Sequence, residues 1–97
     1  MSAQNVIWLN EAKASKLMEQ GKYGKAEKIL LQNTKSGCAS FRTYQLLFRI
    51  YSQDNDYGKI IRILDQAIKC SKEKEKFFRE LKRVTILNRL LEDIMAD

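Results

Sequence analysis

The chain has 97 residues, and its 18 Lys and Arg against 12 Asp and Glu give a net charge of +6. This length allows one domain, residues 1–97, with a modest core. With 44% hydrophobic residues and a mean hydropathy of −0.45, no apolar run reaches the ~18 residues that would suggest a membrane span. Because the first residues also lack a signal-peptide pattern, we expect a cytoplasmic protein that does not enter membranes.

The residues that usually carry chemistry are scarce. Cys38 and Cys70 lie far apart, without the C-x-x-C spacing of a metal or redox site, and His is absent. We therefore expect two reduced, packed thiols, no metal and no cofactor. A Gly-rich phosphate loop is missing as well, so neither nucleophilic nor metal-assisted catalysis has candidate residues, and a non-enzyme is predicted.

Apolar residues at helical spacing predict an all-α protein of five helices. The first two cover residues 5–20 and 22–36. The remaining three cover residues 40–53, 56–70 and 72–96. The last is longer than the others, and no strand pattern interrupts the series.

The breaks between these helices carry specific turn chemistry. Gly21 and Asn55 follow the first and third helices and are expected in the left-handed conformation, which Gly and Asn tolerate best. Ser40 and Asp56 are predicted to cap the helices that follow them. Ser71 is predicted to begin the last helix.

An internal repeat organises the chain. Residues 21–25 read GKYGK, and 34 residues later residues 55–59 read NDYGK. The same offset pairs Ile29 with Ile63, and a period of this length is typical of helical-hairpin arrays. It divides the chain into unit one (5–38), unit two (39–71) and a capping helix (72–97).

These residues resemble the tetratricopeptide repeat. Its small and aromatic signature positions are matched by Gly21, Tyr23, Ala26, Asn55 and Tyr57, and its first-helix pattern by Tyr44, Leu47 and Tyr51. The resemblance implies a right-handed array of helical hairpins whose first helices line a concave, peptide-binding side. Residues 43–47 are also similar to the opening of the pentatricopeptide repeat, which reads RNA, although the period of that repeat is usually one residue longer.

The resemblance also implies a binding groove. Its groove-facing positions correspond here to Trp8, Glu11, Ser15, Arg42, Gln45, Arg49, Lys76, Arg79 and Arg83. The four arginines are expected to converge on carboxylates of an acidic or amphipathic partner segment. Two roles remain open for Trp8: it is either an anchor for that partner or an ordinary core residue.

The last helix carries more apolar residues than one buried face can hide. The expected surface for a protein partner, or for a second copy of the chain, consists of Phe78, Leu87, Leu90, Leu91, Ile94 and Met95.

Two functions follow from these expectations. The first is an interaction adaptor or small chaperone, similar in size and plan to small bacterial secretion chaperones. The alternative is a nucleic-acid-associated protein or ribonucleoprotein subunit that uses the stretch Lys69–Arg89, where eight basic residues stand against three acids.

Overall fold

The computed structural model describes residues 3–35 and 37–96, and within them the chain forms five helices and no strand. The helices are α1 (Ala3–Glu19), α2 (Tyr23–Thr34), α3 (Phe41–Gln53), α4 (Tyr57–Cys70) and α5 (Glu75–Met95). The predicted all-α class and helix order are confirmed, with boundaries that differ by at most three residues.

The same hydrogen-bonded turn ends α1 and α3. At the first, the N–H of Lys22 donates to the carbonyl of Leu17 (2.8 Å), and Gly21 has a φ of 76°. At the second, the N–H of Asp56 donates to the carbonyl of Tyr51 (3.0 Å), and Asn55 has a φ of 52°. Both are Schellman motifs, in which a left-handed residue lets the chain reverse. The two left-handed residues were predicted from sequence, and both are confirmed.

Side-chain caps begin α3 and α4 as predicted. The N–H of Thr43 donates to Ser40 Oγ, and the N–H of Lys59 donates to an Asp56 carboxylate oxygen at 3.2 Å. The prediction for Ser71 is only partly right, because its Oγ accepts from the N–H of Lys74. It therefore caps a turn that precedes α5, which begins at Glu75.

Each helix packs on the next one along the chain, and α1 also contacts α3. This order is compatible with an array of helical hairpins. The molecule measures 52 × 33 × 17 Å along its principal axes, so it is thin in one direction and its core is small. The core centres on Ala14, Ala26, Leu30, Tyr44, Leu47, Leu64, Ala67 and Phe78.

A buried polar network joins the first three helices. Thr43 Oγ1 on α3 donates to Glu11 on α1 at 2.6 Å, and the hydroxyl of Ser40 donates to the same carboxylate oxygen. Asn33 Nδ2 on α2 donates to Thr43 Oγ1 at 3.0 Å, while Asn33 Oδ1 accepts from Asn10 at 2.9 Å. Glu11 is only 8% exposed, so the expectation that it faces a groove is wrong.

The expectation of two reduced thiols is also wrong. Cys38 and Cys70 form a disulfide across a Cα–Cα distance of 5.3 Å, although 32 residues separate them in sequence. The bond ties the loop before α3 to the last residue of α4. Gln66 adds a second tie there, since its side-chain amide donates to the carbonyl of Gly37 at 3.2 Å.

None of the helices in the described ranges is both long and apolar enough to cross a membrane. Residence in the cytoplasm stays a prediction. The disulfide weighs against it, because disulfides persist mainly in oxidising compartments.

We expect the disulfide to contribute strongly to stability. Closing a loop of this length removes chain entropy from the unfolded state, so adding a thiol reductant should lower the free energy of unfolding by about 3–4 kcal/mol. Urea unfolding followed by circular dichroism, with and without the reductant, measures this difference. The double variant Cys38→Ser, Cys70→Ser is the control and should not respond to the reductant. An unchanged wild-type midpoint would contradict the assignment.

Replacing Thr43 with Val should destabilise the fold by about 2 kcal/mol, because the buried carboxylate of Glu11 and the amide of Asn33 each lose a partner. The matched control is Thr85→Val. Thr85 is also buried, at 5% exposure against 0% for Thr43, but its hydroxyl donates to the carbonyl of Leu81 in its own helix. That carbonyl keeps its helical hydrogen bond, so Thr85→Val should lower the free energy of unfolding by less than Thr43→Val. Equal losses in urea unfolding would show that the network contributes nothing specific.

Candidate functional site

A cleft of about 350 Å³ opens between α3 and α5, and we call it the α3–α5 cleft. It is lined by Arg42, Tyr44, Gln45, Leu46, Phe48, Arg49, Phe77, Phe78 and Leu81. Arg42, Gln45 and Arg49 recur three and four positions apart, which places them on one face of α3, and Tyr44 and Phe48, four positions apart, lie beside that face. Helical spacing therefore builds one wall of the cleft, and the first turns of α5 build the other.

The cleft combines an apolar floor with a basic rim. Tyr44 and Phe78 at its base are 2% and 1% exposed, whereas Phe77 is 45% exposed. Arg42, Gln45 and Arg49 are exposed along the α3 rim. Of the predicted groove residues, these three are the ones that the structure brings together.

Four aromatic rings pack together where α3 meets α5, and three of them, Tyr44, Phe77 and Phe78, line the cleft. The ring centroid of Phe41 lies 5.5 Å from that of Phe77 and 5.4 Å from that of Phe78. Tyr44 meets Phe78 edge-on at 6.0 Å. Such tilted and edge-on contacts are the favoured geometries of aromatic pairs. Lys74 covers the outer side of the cluster, with its Nζ 5.2 Å from the centroid of Phe41.

The disulfide lies next to this aromatic cluster. The hydroxyl of Tyr44 accepts from the N–H of Ala39 at 3.1 Å and reaches the Sγ of Cys70 at 3.5 Å. Burial raises the pKa of Tyr44, so its hydroxyl stays protonated at neutral pH. Cys38 stands three residues before Phe41 in the sequence. The covalent bond therefore holds the start of α3 against the turn that leads into α5.

A second cleft of about 360 Å³ lies between α1 and α3. Its lining residues are Ser15, Met18, Glu19, Tyr23, Arg49 and Gln53. Arg49 lines both clefts, so the faces of α1, α3 and α5 on this side form one continuous surface. Ser15 reaches this surface as expected.

Trp8 lines neither cleft and is 69% exposed. Of the two interpretations left open, the core residue is wrong. A role as an anchor for a partner stays a prediction.

The basic residues of α5 point elsewhere. Successive helical residues are about 100° apart, so Arg79 and Arg83 project about 160° away from Leu81, which lines the α3–α5 cleft. Each is instead paired with an acid of its own helix: Arg79 with Glu75 at 2.8 Å and Arg83 with Glu80 at 2.5 Å. The latter hydrogen bond lowers the pKa of Glu80 and raises that of Arg83.

The predicted convergence of four arginines is therefore not what the structure shows. Lys76, exposed on α5, also lies outside the lining of the cleft. Lys82 forms an ion pair with Asp65 at 2.6 Å, which joins α5 to the neighbouring helix α4. The lining of the cleft has two arginines, both on α3.

The apolar residues of α5 divide into two groups. Phe78 is 1% exposed and part of the core, so it does not belong to the exposed apolar surface that was predicted for it together with the other five residues. The other five predicted residues are 45–79% exposed: Leu87, Leu90, Leu91, Ile94 and Met95. Within residues 75–95 only Phe78 and Thr85 are buried, so the second half of this helix offers a broad apolar surface.

On the opposite side, a charged cluster joins α2, α3 and α4. The hydroxyl of Tyr51 donates to Glu27 at 2.7 Å, and Lys59 Nζ lies 3.7 Å from the same carboxylate. Burial and this carboxylate raise the pKa of Tyr51. The cluster is internally satisfied and serves to join helices.

Sequence reasoning did not assign to the groove the six other residues that line the cleft: Tyr44, Leu46, Phe48, Phe77, Phe78 and Leu81. The available signal was the concentration of aromatic residues at the starts of α3 and α5. Over residues 3–35 and 37–96, no cluster of three or more His, Cys, Asp or Glu side chains could hold a metal ion.

The chain matches no protein-family model, no curated protein and no solved structure. The resemblance to tetratricopeptide repeats therefore rests on the repeat, its turn residues and the order of the helices.

Proposed function

We propose that this protein is a non-enzymatic binding module, an adaptor or small chaperone, that holds an amphipathic segment of a partner protein. The segment lies in the α3–α5 cleft and presents acidic side chains to its rim. The observation that carries the proposal is the arrangement of Arg42 and Arg49. Both are exposed beside an apolar floor, and neither forms an ion pair with any residue that the structure describes.

The floor supports the recognition of apolar side chains. Its volume of about 350 Å³ lies within the range of about 300–1,000 Å³ that is common for binding pockets. Each large apolar side chain that becomes buried there contributes roughly 1.5–3 kcal/mol. The half-exposed ring of Phe77 gives such a side chain a flat surface to pack against.

The rim supports the recognition of carboxylates. Arg42 and Arg49 are seven residues apart on one face of α3, which separates them by roughly 10 Å along the helix axis. A helical partner with acids at positions i and i+7 has the same separation, and its residues i+3 and i+4 then face the floor. Each guanidinium can bind a carboxylate through two parallel hydrogen bonds.

The nucleic-acid alternative has less support. Of the eight basic residues between Lys69 and Arg89, Arg79, Lys82 and Arg83 are already paired with carboxylates. Phe78 is buried, which leaves Phe77 as the aromatic residue available for stacking on a base. The exposed lysines that remain still allow salt-dependent contact with phosphates.

Binding can be measured with a designed fluorescent helical peptide that carries Glu at i and i+7 and Leu at i+3 and i+4. The double variant Arg42→Glu, Arg49→Glu should weaken its binding tenfold or more, because a hydrogen bond to a charged group contributes about 1.5–3 kcal/mol. The single variant Arg79→Glu is the control. It changes the same residue type at an exposed site away from the cleft, and binding should not change.

Backbone amide shifts in an NMR titration locate the contact. The proposal expects shifts at Gln45, Arg49, Phe77 and Leu81 when the peptide is added. An equal loss of peptide affinity in the double variant and in Arg79→Glu would contradict the cleft assignment. Tight binding of single-stranded RNA that weakens steeply with salt, without peptide binding, would favour the alternative instead.

A further inference from the structure

The second half of α5 presents an exposed apolar stripe that no other helix covers. Val84, Leu87, Leu91 and Ile94 are 41%, 45%, 54% and 73% exposed. Their spacing of three, four and three residues is that of the a and d positions of a coiled coil. We call these four residues the α5 seam.

Most of the seam faces away from the rest of the molecule, although Leu91 also lines a shallow cleft with Asn55 and Tyr57 at the start of α4. Phe78 and Thr85 define the buried side of α5, and Lys82 is joined to Asp65 of α4 on that side. At about 100° per residue, Leu87 lies directly opposite Phe78 around the helix axis. The helix therefore packs on α4 with one side and leaves the seam to a partner.

The distribution of charge along α5 indicates which partner fits the seam and in which orientation that partner packs. Residues 75–83 carry four basic residues against Glu75 and Glu80, so they keep a net charge of +2 although Arg79 and Arg83 pair with those two acids. Residues 84–97 carry Arg89 against Glu92, Asp93 and Asp97, which gives a net charge of −2. A parallel pair of such helices would place each arginine beside its own copy. An antiparallel pair keeps the basic halves apart and brings each one towards the other helix's acidic end, where the helix dipole is also negative.

We propose that the α5 seam is a self-association surface, on which α5 of a second copy packs antiparallel about a two-fold axis. The register that matches the seam to itself pairs Val84 with Ile94 of the second copy and Leu87 with Leu91. Because a two-fold axis uses the same patch twice, each contact forms two times. Arg83 then lies beside the end of the other α5. This surface is separate from the lining of the α3–α5 cleft.

The size of the seam sets the strength of the association. Four seam residues, flanked by Leu90 and Met95, bury a few hundred Å² on each copy, less than the roughly 800 Å² of a standard interface. We therefore expect a weak dimer that forms as the concentration rises from micromolar to millimolar.

Light scattering over that concentration range tests the proposal. The mass of the wild-type chain should rise from 11.4 kDa towards twice that value, whereas Leu87→Glu with Leu91→Glu should stay monomeric at every concentration. Ile86→Glu is the matched control: Ile86 is an apolar residue of the same helix, 38% exposed, on a different side from the seam. It should dimerise like the wild type, and far-ultraviolet circular dichroism should show unchanged helix content in all three. The proposal is overturned if the wild-type mass stays at the monomer value. It is also overturned if Ile86→Glu prevents dimer formation as strongly as the Leu87→Glu, Leu91→Glu double variant.

The direction of packing has its own test. In the antiparallel register Arg83→Glu puts a negative charge beside the acidic end of the other helix, so the dimer dissociation constant should rise severalfold. Arg79→Glu lies beyond the overlap of the two helices and should leave the constant unchanged. In a parallel pair both substitutions would remove repulsion between like charges, and tighter association of either variant overturns the antiparallel arrangement.

Discussion

The structure depends on two backbone conformations that most residues avoid. Gly21 and Asn55 take positive φ values at the same place in each hairpin, where a side chain with a branched or bulky Cβ would be strained. The hydrogen bonds that close the first turn are repeated in the second turn at an offset of 34 residues. Because each turn ends one helix and directs the next back along it, these two positions determine that the chain folds as successive hairpins.

A different set of interactions holds one hairpin against the next. Thr43 accepts from Asn33 of α2 and donates to Glu11 of α1, so the start of α3 is attached to both helices of the first hairpin. The disulfide from Cys38 to Cys70 attaches the loop before α3 to the end of α4. In a molecule only 17 Å thick, apolar burial is limited, and such directional bonds help to position α3 relative to α1, α2 and α4. Aromatic contacts of Phe41 and Tyr44 with Phe78 then position α3 relative to α5. The cleft between these helices exists because of that positioning.

The arginines illustrate how helical phase decides the role of a charge. Arg79 and Arg83 lie within one turn of Glu75 and Glu80, and they are neutralised on the surface of their own helix. Arg42 and Arg49 have no acid at such a spacing on α3, and they stand beside a surface of aromatic rings. An apolar environment excludes water and strengthens a charge-assisted hydrogen bond, which makes the α3 pair the better candidates for recognising a carboxylate.

The amino-acid sequence by itself determined the five helices, the caps at Ser40 and Asp56 and the two left-handed turns. These features depend on hydrogen bonds and apolar spacing within a few residues, so they can be read locally. The tertiary structure decided the pairing of the cysteines, the burial of Glu11 and Phe78, and which arginines line the cleft. Each of those outcomes depends on distances between helices that are remote in sequence, as with the 5.3 Å between the Cα atoms of two cysteines 32 residues apart. Residue spacing within one helix carries no information about such distances, which is why packing alone could settle them.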